Sequence, residues 1–554
     1  MARPSSPSRP ATEATPLLPP ATQETSFSTP STPSTSTRQI SPDLVRGILM
    51  MLMAMDHTSA NLGAYPHGTG TVSESPTTPI TRFSDPFPYV LRTSTHLCAG
   101  GFAMLMGMGV VYFAESRKQQ MLSPWQQIKH YAVRAIAILV VNTLSCHLTS
   151  IISMGPHIWL FNIVLPALAL DYFLAGVLYT GIIYYLEPAL RSSLDGQVKQ
   201  SASRQREGEV QQHVSNDAPS ASTMKTHSIV NILLLILSAV VLWMNVWTSP
   251  NEGQCDKAVS PMTIGGSPAV ETILGLSSMP EQASFAALTA DPGHCSSMGS
   301  ALWWLLFQSV TCLDLGIVSV FPPVGWLSFT IFGLIYGRML LSPARKTSTA
   351  FRASTINLAF TIFFSLLFVS TRLLQYGNLS TDCINTQHDA SQSSASANQY
   401  LTSWRAFFYI VKYPPSPAYA FFSLAGNFLL LYLFSIILST SSTSPLAGVG
   451  TCLSSPLNPL LVYGTNPLFF YGAHFWAIKI VSLILPHLPF KGTKPTLDDP
   501  NKPGGGWNRP RPHVGLGWLY WTSVGVVLVS MYFACLKYGQ FKRTRGRESV
   551  WRFL

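Results

Sequence analysis

The sequence predicts an all-α, polytopic membrane protein: a bundle of about ten transmembrane helices with one further apolar segment that is re-entrant or interfacial. Three observations predict it. Charged residues make up only 11% of the 554 residues and apolar residues 47%, whereas soluble domains carry about 25% charged residues. Several apolar runs reach or approach the roughly 20 residues needed to cross a hydrocarbon core about 30 Å thick. The basic residues gather in alternate connections, as the positive-inside rule requires.

The elements follow in chain order. Residues 1–38 are rich in Ser, Thr and Pro, with no apolar run of the kind a cleavable signal peptide needs. They predict a disordered cytosolic tail. Within it, EATPLL (Glu13–Leu18) fits an acidic di-leucine sorting signal or a plain piece of that tail. Apolar length and charge together place spans at about 44–62, 89–113, 131–153, 169–187, 227–247, 322–341, 354–374, 418–438, 458–485 and 516–536. With the N-terminus in the cytosol, Arg117, Lys118, Lys129, Arg338, Arg345, Lys346 and Arg352 all lie inside. So do a polar insert at 188–226, expected to be disordered, and the basic C-terminal stretch Lys537–Arg547, which leaves 546–554 as a cytosolic end. Leu302–Phe321 is apolar enough to span. A separate span there would throw the basic loop Arg338–Arg352 outside, so a re-entrant or interfacial segment on the outer side is preferred, with an eleventh span as the alternative.

The outer loops are then 249–301, 375–400 and 486–515. Asn378-Leu379-Ser380 is a glycosylation sequon on the lumenal side. Cys255 and Cys295 share one lumenal loop, where a disulfide is expected, with Cys383 as a competing partner. The eight cysteines form no CxxC or Cys/His cluster, so no metal site is expected. The net charge of +11 is spread over loops and the C-terminal tail. It orients the chain in a bilayer and gives no sign of a nucleic-acid partner.

Ionisable residues within spans are functional candidates, and here they share a depth. Asp56 and His57 lie near the outer end of the first span, His96 near the outer end of the second and Arg372 near that of the seventh. Lys412 and Tyr413 precede the eighth, and His474 lies in the ninth. Structural alternatives stand beside each: a buried paired charge for Asp56, a backbone hydrogen bond for His96, snorkelling for Arg372 and Lys412, and an aromatic belt for His474. Asp43, Arg46, Met50, Met53 and His57 recur on one helix face. That face runs about 16 Å from Arg46 to His57. Gly100, Gly101, Gly107 and Gly109 fit close helix packing better than a phosphate loop.

Five stretches, in order, carry a family resemblance. RQISPDLVRGILMMLMAMDH resembles the opening of the catalytic domain of the heparan-alpha-glucosaminide N-acetyltransferase-like family, a transmembrane acyltransferase bundle. LRTSTHLCAGGFAMLMGMG, FPPVGWLSFTIFGLIYGR, FYIVKYPPSPAYAFFSLA and VYGTNPLFFYGAHFW are similar to its later motifs. KYPPS and PLFFYxxH are the most specific of these. The resemblance covers most of 39–545, read as one transmembrane domain. Departures are Gly100 where the family has Pro, GTNPLFFY without the family's Arg, and Asp56-His57 in place of an Asn-containing, Gly-rich stretch.

The resemblance implies acetyl transfer from cytosolic acetyl-CoA, with no permanently bound cofactor, to an amino sugar or glycan on the lumenal side. The membrane would be vacuolar or lysosomal in type, another endomembrane, or the plasma membrane. His57, His96 and His474 match motif histidines, and Asp43, Arg46, Asp56, Lys412 and Tyr413 match motif polar residues. Thioester transfer needs a base and donors for the oxyanion. His57 is expected to be the base or acetyl relay, assisted by Asp56, with His96 or His474 orienting the acceptor or stabilising the oxyanion. Arg46, beside Asp43, would hold a CoA phosphate; Arg372, Lys412 and Tyr413 would stand at the acceptor entrance. A transporter or a catalytically inactive scaffold could use the same polar residues.

Overall fold

The computed structural model describes residues 40–62, 64–65, 69, 80, 82–147, 159–205, 221–248, 296–308, 310–312, 314–319, 321–342, 353–377, 383–384, 398–412, 414–439, 447–488, 516–546 and 549. All fall within one compact unit, Ile40–Leu554. Ten helices carry the bundle among these residues. They are α1 Ser41–Leu62, α2 Pro86–Gln119, α3 Pro124–Asn142, α4 Leu165–Gly181, α5 Ala221–Trp247, α6 Pro323–Leu341, α7 Ala353–Leu373, α8 Pro417–Ser439, α9 Pro467–Ile484 and α10 Trp518–Arg543. Proline opens α2, α3, α6, α8 and α9, where its missing N–H is an orphan of the first turn in any case. Ser123 and Gln126 close a reciprocal capping box at the start of α3.

Eight helices among the described residues are long and apolar enough to cross a membrane, by length and composition. The chain is thus an all-α, multi-pass membrane protein in class. α1 and α3 fall outside those eight. α1 carries Asp43, Arg46, Asp56 and His57, and α3 opens on polar residues and holds Arg134.

α1 is the inner helix, packed against α2, α8, α9, α10 and the short helix Pro459–Gly464. Arg46 near its start reaches Leu105, and Asp56 near its end reaches Arg92, so α1 and α2 run antiparallel. We call the side where α1 starts the near side, and the side where α1 ends and α2 begins the far side. α2 and α6 run parallel and cross where a Cβ on Gly107 would strike the Thr330 carbonyl and one on Gly333 the Met104 carbonyl. Gly100 and Gly101 likewise sit against neighbouring side chains, while Gly109 faces open space.

Four stretches depart from the sequence expectation. Leu302–Phe321 is neither an eleventh span nor one helix. The helix Met298–Leu305 leads into strands β2 Val310–Cys312 and β3 Ile317–Ser319. They pair antiparallel, and β3 pairs in parallel with β1 Leu160–Asn162. Gly316, at φ 66°, supplies the left-handed residue before β3. The third span ends as a helix at Asn142 and continues as a π-turn, Thr143–His147. The ninth is broken at Thr465-Asn466, because Pro467 disfavours helical backbone at the residue before it. The insert expected to be disordered is helical over Glu187–Gln205, and α5 already begins at Ala221. Ala, Leu, Gln, Lys and Arg are good helix formers, and the π-turn Ile182–Leu186 after α4 leaves Pro188 at the second position of this helix, where a proline is tolerated.

Cys383 is disulfide-bonded, and so is Cys312, which the sequence did not single out. Cys255, Cys295, Asn378, Tyr413 and the tail with its di-leucine pattern lie outside the described residues.

Candidate active site

His57 lies five residues before the end of α1 and His474 seven residues into α9. The packing of α1 on α9 brings them together: His57 Nδ1 is 2.8 Å from His474 Nε2. Their rings stack with centroids 5.1 Å apart at 19°, and Phe475 stacks on His57 at 4.9 Å. His474 is fully buried. Its Nδ1 lies 2.6 Å from the Tyr471 carbonyl and 3.1 Å from that of Phe470.

Those two carbonyls assign the protons. A carbonyl only accepts, so His474 Nδ1 carries the hydrogen, and in the neutral ring Nε2 is then an acceptor. His57 Nδ1–H must donate to it, which makes Nε2 of a neutral His57 the basic nitrogen. A backbone carbonyl thus fixes the tautomer of His57 through a second imidazole.

Asp56 is adjacent to His57 in sequence but about 100° away around the helix. Its carboxylate receives Arg92 Nη1 at 2.8 Å, with Arg92 fully buried and the Asp56 side chain 6% exposed. Asp56, expected beside His57 as its assistant, pairs with Arg92, and the imidazole at His57 Nδ1 is that of His474. The pair belongs to a wider layer of charge. Lys412, Asp56 and Arg92 all act electrostatically on the buried Cys98 thiol. Tyr520 donates to the Met55 carbonyl at 3.1 Å and meets Tyr65 edge-on. Burial, and after it the charge of Asp56, holds the Tyr65 phenol well above its ordinary range.

The other expected residues sit as follows. His96 is fully buried against Tyr419 of α8, ring centroids 5.9 Å apart, and the Tyr419 hydroxyl donates to the His96 carbonyl. Asp43 is buried and accepts from Arg46 Nη1 at 2.9 Å, while Arg46 Nη2 donates to the Leu105 carbonyl. Arg372 does not snorkel to an interface. It is fully buried, with its guanidinium 4.2 Å from the Tyr400 ring centroid and 5.1 Å from that of Phe368. Its Nη1 donates to the Tyr409 carbonyl, so it ties α7 to the far-side segment ahead of α8. Lys412 is also buried.

Arg92 was legible only as a letter in a motif. A buried carboxylate demands a cation at its own depth, and Arg92, four residues before His96, is the one α2 offers there. Asp171 and Glu187 also escaped notice, and Arg338 was read only as a cytosolic loop charge. Arg338 Nη1 donates to Glu187 at 2.6 Å and its Nε to Asn231, closing the near side between α4, α5 and α6.

No protein-family model matches this chain, and no curated protein matches it. Among the described residues no group of His, Cys, Asp and Glu could hold a metal ion.

Proposed function

We propose that this chain is an integral membrane acyltransferase that moves an acetyl group from cytosolic acetyl-CoA to an amino-sugar or glycan acceptor on the lumenal side. The observation that carries this is the His57–His474 pair, drawn from positions 417 residues apart and proton-ordered by backbone. His57 Nε2 takes the proton of the acceptor as its nitrogen or oxygen attacks the thioester carbonyl; the C–S bond breaks and CoA leaves as thiolate. His474 holds His57 in the competent tautomer and accepts from it throughout, a positioning role. In the relay version, Nε2 itself attacks the thioester, and the acylimidazole passes the group to the acceptor.

Placing the near side in the cytosol gives ten membrane passages with both termini inside. That orientation gathers Arg117, Lys118, Arg338, Lys542 and Arg543 at cytosolic helix ends. It leaves the disulfide-bonded Cys312 and Cys383 on the oxidising side, with the β1–β3 sheet as an outer-face interfacial element. Arg46, already set by Asp43, stands where a CoA phosphate would enter. Lys412 and the Asp56–Arg92 pair line the approach of the acceptor. A vacuolar or lysosomal-type endomembrane fits this topology.

The test is a membrane assay with labelled acetyl-CoA and a panel of amino sugars and glycans, comparing wild type with His57→Ala. Transfer by wild type and its loss in the variant is the expected result. Equal transfer by both removes His57 from the mechanism, and solute uptake independent of acetyl-CoA replaces the transferase by a transporter.

A further inference from the structure

Asp171 stands six residues into α4, fully buried, and among the described residues neither carboxyl oxygen has a hydrogen-bond partner. Among the described residues no ion pair involves it either. Native proteins pair about nine in ten buried polar groups. A carboxyl retained for structure would therefore be bonded, and a lone carboxylate at membrane depth is strongly unfavourable.

The charged and titratable groups on the packed elements have other engagements. On α3, Arg134 donates to Tyr172 and covers its ring, His130 stacks on Phe113, and Tyr131 lies against Gly176. On α2, Glu115 accepts from Tyr179; on α6, Arg338 is bonded to Glu187. Tyr172 points Arg134 along the next face of the helix, about 100° from Asp171.

We propose that Asp171 is a proton-binding site of the membrane bundle, its carboxyl carrying a proton in the resting protein and open to apolar carboxyl reagents. The proton is the one ligand that removes the charge without asking for space or a counter-ion. The site lies about 9 Å in from the far end of α4, close to the depth of His57, about 8 Å from the end of α1. It does not depend on the acyl-transfer proposal, and either can fail alone.

A hydrophobic carbodiimide tests it in the full-length protein in membranes. The acid O–H adds across a C=N bond: the carboxyl oxygen bonds carbon, the proton goes to nitrogen, and an oxygen-to-nitrogen acyl shift leaves a stable N-acylurea. The reagent needs the protonated acid, and an exposed aspartate holds its proton only about one part in a thousand of the time at pH 7. Peptide mapping at neutral pH should find at least about tenfold more adduct on Asp171 than on the exposed Asp195. This arm needs no variant. In infrared spectra, Asp171→Asn should remove a protonated-acid carbonyl band present in wild type. Adduct on Asp171 no greater than on Asp195, or a carbonyl band untouched by Asp171→Asn, overturns the assignment.

Discussion

Replacing His474 by phenylalanine separates positioning from packing. The ring and its stack on His57, at 5.1 Å, are kept, while the acceptor Nε2 at 2.8 Å and the donor Nδ1 are lost. His57 Nδ1–H then lacks that acceptor. Stranding a buried donor costs about 1–3 kcal/mol; His57 is half-buried, which places it at the lower end, and each 1.36 kcal/mol is tenfold in rate. Acetyl transfer should therefore fall by at least about 5-fold, with the melting temperature near that of wild type. His57→Ala removes the base itself and should lose about 10²–10⁴. Because His474 acts only through His57, the double variant should be no slower than His57→Ala. The assay is label transfer from acetyl-CoA in membranes, with detergent melting as the folding control. A folded His474→Phe protein at wild-type rate, or a double variant whose losses multiply, would refute the positioning role.

Three further outcomes are expected. Asp56→Asn or Arg92→Met alone removes one member of a buried ion pair and should destabilise by about 3–5 kcal/mol, most of it regained in the double variant; thermal melts that leave each single variant at wild-type stability would show the ion pair to be dispensable. Gly333→Ala drives a methyl group into the Met104 carbonyl and should cost about 1–3 kcal/mol or more, read as a lowered melting temperature, with Gly109→Ala, which meets open space, as the neutral control. For sidedness, an impermeant maleimide on intact right-side-out vesicles should label an engineered Leu488→Cys but reach the exposed native thiol of Cys452 only after permeabilisation; the reverse pattern would invert the proposed topology.

The sequence by itself determined the class and the rough placement of the helices. Apolar length and sparse charge are summed along the chain, and a bilayer reads the same sum, so every expected span overlaps one of the ten helices. It also marked His57 and His474 as ionisable residues in apolar surroundings, because their energetic cost is local and visible in a single run of letters. Tertiary structure alone decided their partners. Asp56 beside His57 in sequence looked like its assistant, yet successive residues on a helix face different neighbours, and packing gave Asp56 to Arg92 and His57 to His474. The hairpin in Leu302–Phe321 escaped for a related reason: hydropathy does not distinguish an apolar helix from apolar strands, and the hydrogen bonds that settle it come from β1, more than 140 residues earlier. Asp171 shows the limit from the other side. A single Asp in ALALDYFLAG could have found a cation on any of three packed helices, and only the packed bundle shows that it found none among the described residues.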